Sequence, residues 1–195
     1  MKLESPQERM ESIRTQAEND LRDHQVRELT HGGAARCWHC ARPGTGCYSF
    51  FITTIPRAVI VAGDIGELIF HPTHPRMEEF IVGGDPQYQH GKLSPEFRHS
   101  EEISPYLVRE ALADVVREHR ESGVPLAPGL KDFCRWLRAD VYTPESIHDF
   151  YRELANYCDD YFDVRITVPD FGVLYRIFAL QWFGRWLKRQ QEETL

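Results

Sequence analysis

Between residues 35 and 71 the chain reads ARCWHCARPGTGCYSFFITTIPRAVIVAGDIGELIFH, and this stretch limits the fold more than any other. Short runs rich in aromatic and β-branched residues alternate with Pro-Gly-Thr-Gly, Ile-Pro-Arg and Gly-Asp-Ile-Gly. Such runs suit a pleated, half-buried surface, and connections this short join antiparallel neighbours. With residues 25–30, which lead into a His31-Gly32-Gly33 turn, the pattern predicts five strands in sequential order: 25–30, 35–41, 47–54, 58–62 and 67–71. Gly44 and Gly46 flank one turn, and Gly63 and Gly66 bracket Asp64-Ile65 in another. Both turns need positive φ or close backbone approach, a structural rather than a phosphate-binding use of glycine.

Helical signals surround this meander. Ser5-Pro6-Gln7-Glu8 has the form of a capping box, and Met10, Ile13, Ala17 and Leu21 follow at helical spacing, so a first helix ends near Asp23. Residues 71–98, dense in proline and turn residues, read as a long connection with one helical turn around 76–80. Ser104-Pro105 opens a helix with Leu107, Val108, Ala111, Leu112, Val115 and Val116 on one face. A second helix carries Leu130, Phe133, Cys134 and Leu137; a third, from Thr143-Pro144, carries Ile147, Phe150, Tyr151, Leu154 and Cys158. Val164, Ile166 and Val168 alternate as in a short strand. From Asp170 a last helix runs apolar on nearly all sides to Trp186, which predicts a central element with sheet on one side and helices on the other. The fold class is therefore α+β: an N-terminal helix, a five-stranded antiparallel meander and a C-terminal helical layer packed on one face of the sheet. We expect a single domain over 1–195, with helix and meander in 1–71, the connection in 72–103 and the helical layer in 104–195.

Composition narrows the function classes. At 195 residues and 42% hydrophobic content the chain can bury a core without staples and is too apolar to be disordered. A net charge of −7 argues against a large basic face for nucleic acid, and suits approach to a positively charged protein surface. The five cysteines are an odd number and residues 1–23 are charged throughout, so reduced thiols in a bacterial cytoplasm are expected. Arg176, Gln181 and Arg185 interrupt the longest apolar stretch, 171–187, as befits a buried helix and not a membrane span.

Several side chains are chemical candidates. Cys37, Cys40, His71 and His74 are the ligand types of a tetrahedral zinc site. Against zinc, residues 37 and 40 are an odd number apart on a strand and so leave opposite faces, and the gap between the pairs fits no standard finger. No cofactor is expected, with zinc the lesser alternative. Cys47 with His39 across the hairpin has the makings of a reactive thiol, although a small strand cysteine is the commoner thing. Most of the nine histidines are expected in polar, exposed settings. Asp64 is either a turn aspartate or a carboxylate presented at the sheet edge. Asp159, Asp160 and Asp163, with Tyr157, Tyr161 and Phe162, form an acidic aromatic cluster of the kind that meets a basic partner. Arg36, Arg42 and Arg57 are the basic residues from which a nucleic-acid-binding patch would be built.

The wording of the chain carries a resemblance. Pro43-Gly44-Thr45, Cys47-Tyr48-x-Phe50, Thr54-x-Pro56, Gly63-Asp64-x-Gly66 and Leu68-x-Phe70, with Pro169-Asp170-Phe171 and Tyr175-x-x-Phe178-Ala179-Leu180-x-Trp182, are similar to a family of small phage-encoded proteins of no assigned reaction. The resemblance implies an origin in a phage or other mobile element. No nucleophile elbow, phosphate loop or paired-carboxylate motif is present in the sequence. The reading is a non-enzymatic accessory protein that binds and inhibits a host protein or ribonucleoprotein complex, as an anti-CRISPR protein does. It has no membrane partner and no nucleic acid as sole partner, and Asp64, Asp159, Asp160, Tyr161 and Asp163 are its contact residues. The alternatives are a small Cys/His-site enzyme or metal-binding protein, and a nucleic-acid-binding regulator.

Overall fold

The structure, a computed structural model, describes residues 3–30, 33–73, 77–123, 125, 129, 131–132, 151–152, 154–156 and 166–193. Helices expected over 130–137 and 143–158 lie almost entirely outside the described residues. The chain divides into two compact units, Met1–Arg9 with Glu101–Val168, and Met10–Ser100 with Pro169–Leu195.

The second unit holds the meander. Strands β1 (Gln25–Glu28), β2 (Arg36–Ala41), β3 (Phe50–Ile55), β4 (Ala58–Gly63) and β5 (Leu68–Phe70) form one sheet in sequential order. Every neighbouring pair is antiparallel. Because side chains alternate along a strand, register decides which residues enter the core. Pairing of Trp38 with Ile52, Ile52 with Val61 and Val61 with Leu68 puts all four on one face, fully buried with Cys40, Phe50, Val59 and Phe70. The Gly-Asp-Ile-Gly turn uses its glycines as expected. Gly63 has φ +148°, and a Cβ there would sit 2.6 Å from the Phe50 Cα; Gly66 has φ +95°.

Against that face lies the last helix, here α6 (Phe171–Glu193). Val173, Ile177, Leu180, Phe183 and Leu187 join the sheet residues in one core, with the rings of Trp38 and Phe183 5.1 Å apart. On another side Leu174, Tyr175 and Phe178 bury Ile13 and Ala17 of α1 (Pro6–Leu21). The apolar last helix is thus central, as its sequence predicts. Trp182 is half-buried and Phe178 is 3% exposed. No described helix is long and apolar enough to cross a membrane.

The helical turn expected around 76–80 is present, but residues 71–103 hold more regular structure than the expected connection. They form three short helices, α2 (Met77–Gly83), α3 (Pro86–Gly91) and α4 (Pro95–Arg98), followed by β6 (Glu101–Ile103). The prolines and turn residues there act as helix punctuation. Asp85 accepts the Tyr88 N–H at 2.8 Å with Pro86 at the first helical position; Pro95 likewise opens α4 after Ser94, whose side chain makes no capping bond. Met77, Phe80 and Ile81 bury α2 in the core, and α2 approaches α6 closely because Gly184 has no side chain: a Cβ there would lie 2.6 Å from the Ile81 carbonyl oxygen.

In the first unit, Ser5 Oγ accepts the Glu8 N–H (3.2 Å) while Glu8 accepts the Ser5 N–H (2.9 Å), the reciprocal capping box read from the sequence. Helix α5 (Pro105–Glu121) is capped by Ser104 and buries Val108, Ala111, Leu112 and Val115. The expected short strand is β7 (Thr167–Pro169), paired with β6, which the sequence reading did not anticipate.

Truncating Phe183, which is fully buried on Trp38, should cost about 3–5 kcal/mol in urea denaturation. Gly184→Ala should also destabilise, although the same change in an ordinary helix interior stabilises by about 1 kcal/mol. A stabilised Gly184→Ala protein would refute the close packing of α2 on α6.

Candidate functional site: an acidic aromatic ledge

Of the sequence candidates for partner contact, Asp64 is described, and Asp159, Asp160, Tyr161 and Asp163 lie outside the described residues. Asp64 does not bond its own turn. Its Oδ2 accepts the backbone N–H of Tyr48 at 2.8 Å, tying the 63–66 turn to the loop between β2 and β3. Tyr48 stands at φ 56°, a left-handed conformation that glycine or asparagine usually occupies. Its carbonyl is held as well, by His24 Nε2 at 3.2 Å. A carbonyl only accepts, so Nε2 carries the proton and Nδ1 is a bare acceptor. Nδ1 is buried and has no hydrogen-bond partner among the described residues.

With both backbone groups gripped, the Tyr48 ring is set at the surface, 42% exposed. Its centroid is 6.0 Å from Tyr175, which lies 5.9 Å from Phe171, itself 41% exposed. The three rings make a row whose ends are open to solvent. Tyr175 donates its hydroxyl to Asp20 Oδ2 at 3.2 Å; burial, then the Asp20 carboxylate, push its pKa up. Beneath the row, His24 packs between Phe50 (6.3 Å) and Trp182 (6.2 Å). Asp170 caps the start of α6 by accepting the Val173 N–H at 2.8 Å, and Arg176 donates to the Ile65 carbonyl at 3.2 Å, which fixes the turn against the helix. Neither Asp20 nor Asp64 pairs with a cation among the described residues. The result is a ledge of aromatic rings edged by carboxylates on a rigid base, suited to contact with a positively charged surface.

The other candidates are not drawn together. Cys40 is fully buried, and burial pushes its thiol pKa up, whereas Cys37 lies on the opposite strand face and accepts from Thr53 Oγ1 at 3.3 Å. One ion cannot take both thiols. His71 is exposed with its N–H on the Lys92 carbonyl, and His74 lies outside the described residues. Among the described residues no three His, Cys, Asp or Glu side chains converge as a metal cage. His39 bonds Ser49 Oγ at 2.8 Å and stacks on Phe51 at 4.7 Å, and Cys47 is exposed in the loop. Two of the three candidate basic residues are paired within the chain: Arg36 is held by Glu28 and Glu78, and Arg42 by Asp23 at 3.3 Å.

Sequence reasoning missed His24, Tyr48, Tyr175, Asp20 and Phe171. His24 is 9% exposed, against the expectation for most histidines here. Its spacing of three from buried Leu21 extends the apolar stripe of α1 and was the available signal.

Burial, more than the nearby Arg42 cation, lowers the His24 pKa from its usual 6.5; the Tyr48 bond, Asp23 and Asp20 act the other way without prevailing. The unfolded chain then takes up the His24 proton at higher pH than the folded protein does. Its contribution to stability is full above about pH 7 and declines as pH falls through and below 6.5. Urea midpoints measured between about pH 7.5 and pH 5.5 should fall less for His24→Gln than for wild type. Equal slopes would remove His24 as a buried neutral group. Comparison with protein-family models, curated proteins and solved structures found no match to this chain.

Proposed function

We propose that this chain is a non-enzymatic binding protein that sets its acidic aromatic ledge on a basic surface of a host protein or ribonucleoprotein complex. By covering that surface it inhibits the complex, an anti-CRISPR-like action in keeping with the phage-encoded proteins its sequence resembles. The observation that carries the reading is the posture of Tyr48. A non-glycine residue in the left-handed region costs about 1–3 kcal/mol and persists only where its surroundings over-determine it. Here Asp64 and His24 do so from two separate elements, and what the arrangement presents is an exposed aromatic ring. Interfaces draw most of their affinity from such rigid aromatic anchors. The net charge of −7, with Asp20 and Asp64 beside the rings, favours a basic partner and speeds encounter with it. A surface that normally holds nucleic acid has the required charge.

Two substitutions separate binding from folding. Asp64→Asn keeps an oxygen for the Tyr48 N–H but removes the charge. Tyr48→Gly removes the ring and relieves the left-handed backbone, which offsets the lost contact with Tyr175, so the protein should stay folded with a Tm near that of wild type. Tagged protein expressed in a CRISPR-bearing bacterium should recover a nucleic-acid-binding subunit of a defence complex in stoichiometric amount. Each variant should weaken that complex at least about tenfold, or 1.4 kcal/mol, by titration calorimetry. Folded wild-type protein that recovers no such subunit, or variants that bind as wild type does, would overturn the reading.

A further inference from the structure

At the other end of β3 from the ledge, the same unit contains a cavity of about 750 Å³. We infer that this cavity is a binding site for a small amphipathic cation, an amine or guanidine carried on a short apolar chain. The volume falls in the range of small-ligand sites. Its apolar wall is Ile55 and Pro56 of the β3–β4 hairpin with Met77 and Val82 of α2. Ile55 is 38% exposed, so its side chain is open to a ligand's alkyl stem.

The polar wall selects the sign of the ligand. Arg36 points its cation here but has little left to offer an anion. Its Nε and Nη2 donate to the two Glu28 oxygens at 2.9 and 3.1 Å, its Nη1 donates to Glu78 Oε1, and its guanidinium lies 4.6 Å over the Trp38 ring. These carboxylates hold it firmly protonated. Glu78 bonds Arg36 through Oε1, and its Oε2 has no donor among the described residues. Among the described residues two carboxylates, Glu28 and Glu78, share the single Arg36 guanidinium, so this cluster keeps an excess negative charge and disfavours a phosphate or carboxylate ligand. An ammonium or guanidinium placed on Glu78 Oε2, with its alkyl stem along Met77, Val82 and Ile55, satisfies both walls.

A free metabolite and a Lys or Arg side chain of another protein share this chemistry, so the test has two arms. Agmatine and the blocked peptide acetyl-Gly-Arg-Gly-amide are titrated into ¹³C-methyl-labelled protein, with phosphate as the anionic control. Met77 is one of three methionines, so its methyl signal is readily assigned, and Ile55 reports from the facing wall. Saturable shifts of both methyls with agmatine alone assign the site to a free small cation. Shifts with the peptide alone assign it to a side chain of a partner. Two variants must abolish or weaken them. Gly83 lines the cavity, has ordinary φ, and a Cβ there meets nothing within 4 Å, so Gly83→Phe fills the space without strain and should leave Tm unchanged. Glu78→Gln keeps an acceptor for Arg36 and should weaken binding at least about tenfold by losing the charge. No saturable shift with either cation, an equal response to phosphate, or binding indifferent to both substitutions would each overturn the assignment.

Discussion

The larger unit depends on one seam, the contact of α6 with the inner face of the sheet. A five-stranded meander has one face to bury and cannot cover it alone. Helix α6 supplies that cover with Val173, Ile177, Leu180, Phe183 and Leu187, while Leu174, Tyr175 and Phe178 on another side receive α1. A helix apolar almost all round is stable in water only in such a position. Gly184 shows how tightly it is held, since even a methyl group would meet the α2 backbone there.

Both features of functional interest follow from that seam. With 23 residues, α6 spans roughly 34 Å at 1.5 Å per residue. Its first turns carry Phe171 and Tyr175 to the β2–β3 loop, and its last turns carry Gln191 to the cavity beside the β3–β4 hairpin. The sheet is bracketed in the same way, with Asp64 at one end of β4 and Pro56 just before the other. Phe171 and Tyr175 are placed by a packed helix and Ile55 by a paired strand, while Tyr48, in the β2–β3 loop, is held by its bonds to Asp64 and His24.

What was legible in the sequence follows the range of the forces involved. The capping box at Ser5 and Glu8, the strand–turn alternation from Arg36 to Phe70 and the apolar periodicity of α6 are local, and each emerged in place. In residues 71–103 the helical turn expected around 76–80 emerged as α2, but α3 and α4 were missed because proline and turn residues punctuate helices as readily as they fill loops; Asp85-Pro86 and Ser94-Pro95 are helix starts. Asp64 was found, but its partner was not, since nothing in the local sequence says that Tyr48 takes positive φ where glycine is the usual choice. The pairing of two residues of the candidate basic patch was hidden for a similar reason. Arg36 and Arg42 look free in the sequence, and Glu28, Glu78 and Asp23 reach them only in the folded chain.

The Tyr48 loop has a simpler local solution. Glycine at position 48 would adopt the left-handed backbone without steric strain, and neither Asp64 nor His24 would be needed to impose it. The chain instead spends a turn carboxylate and a buried neutral imidazole, one ring nitrogen of which stays unpartnered among the described residues. Each of these carries a penalty of its own: backbone strain, the desolvation of His24, and a surface aromatic ring with only part of its area packed. His24 packs with Phe50 and Trp182 beside the core, but the backbone strain at Tyr48 and its exposed ring add nothing to it. The common effect of the three is to hold one tyrosine ring outward beside two carboxylates in a fixed direction. Preorganisation of that kind lowers the entropy cost of association, and in this it supports the proposed binding role.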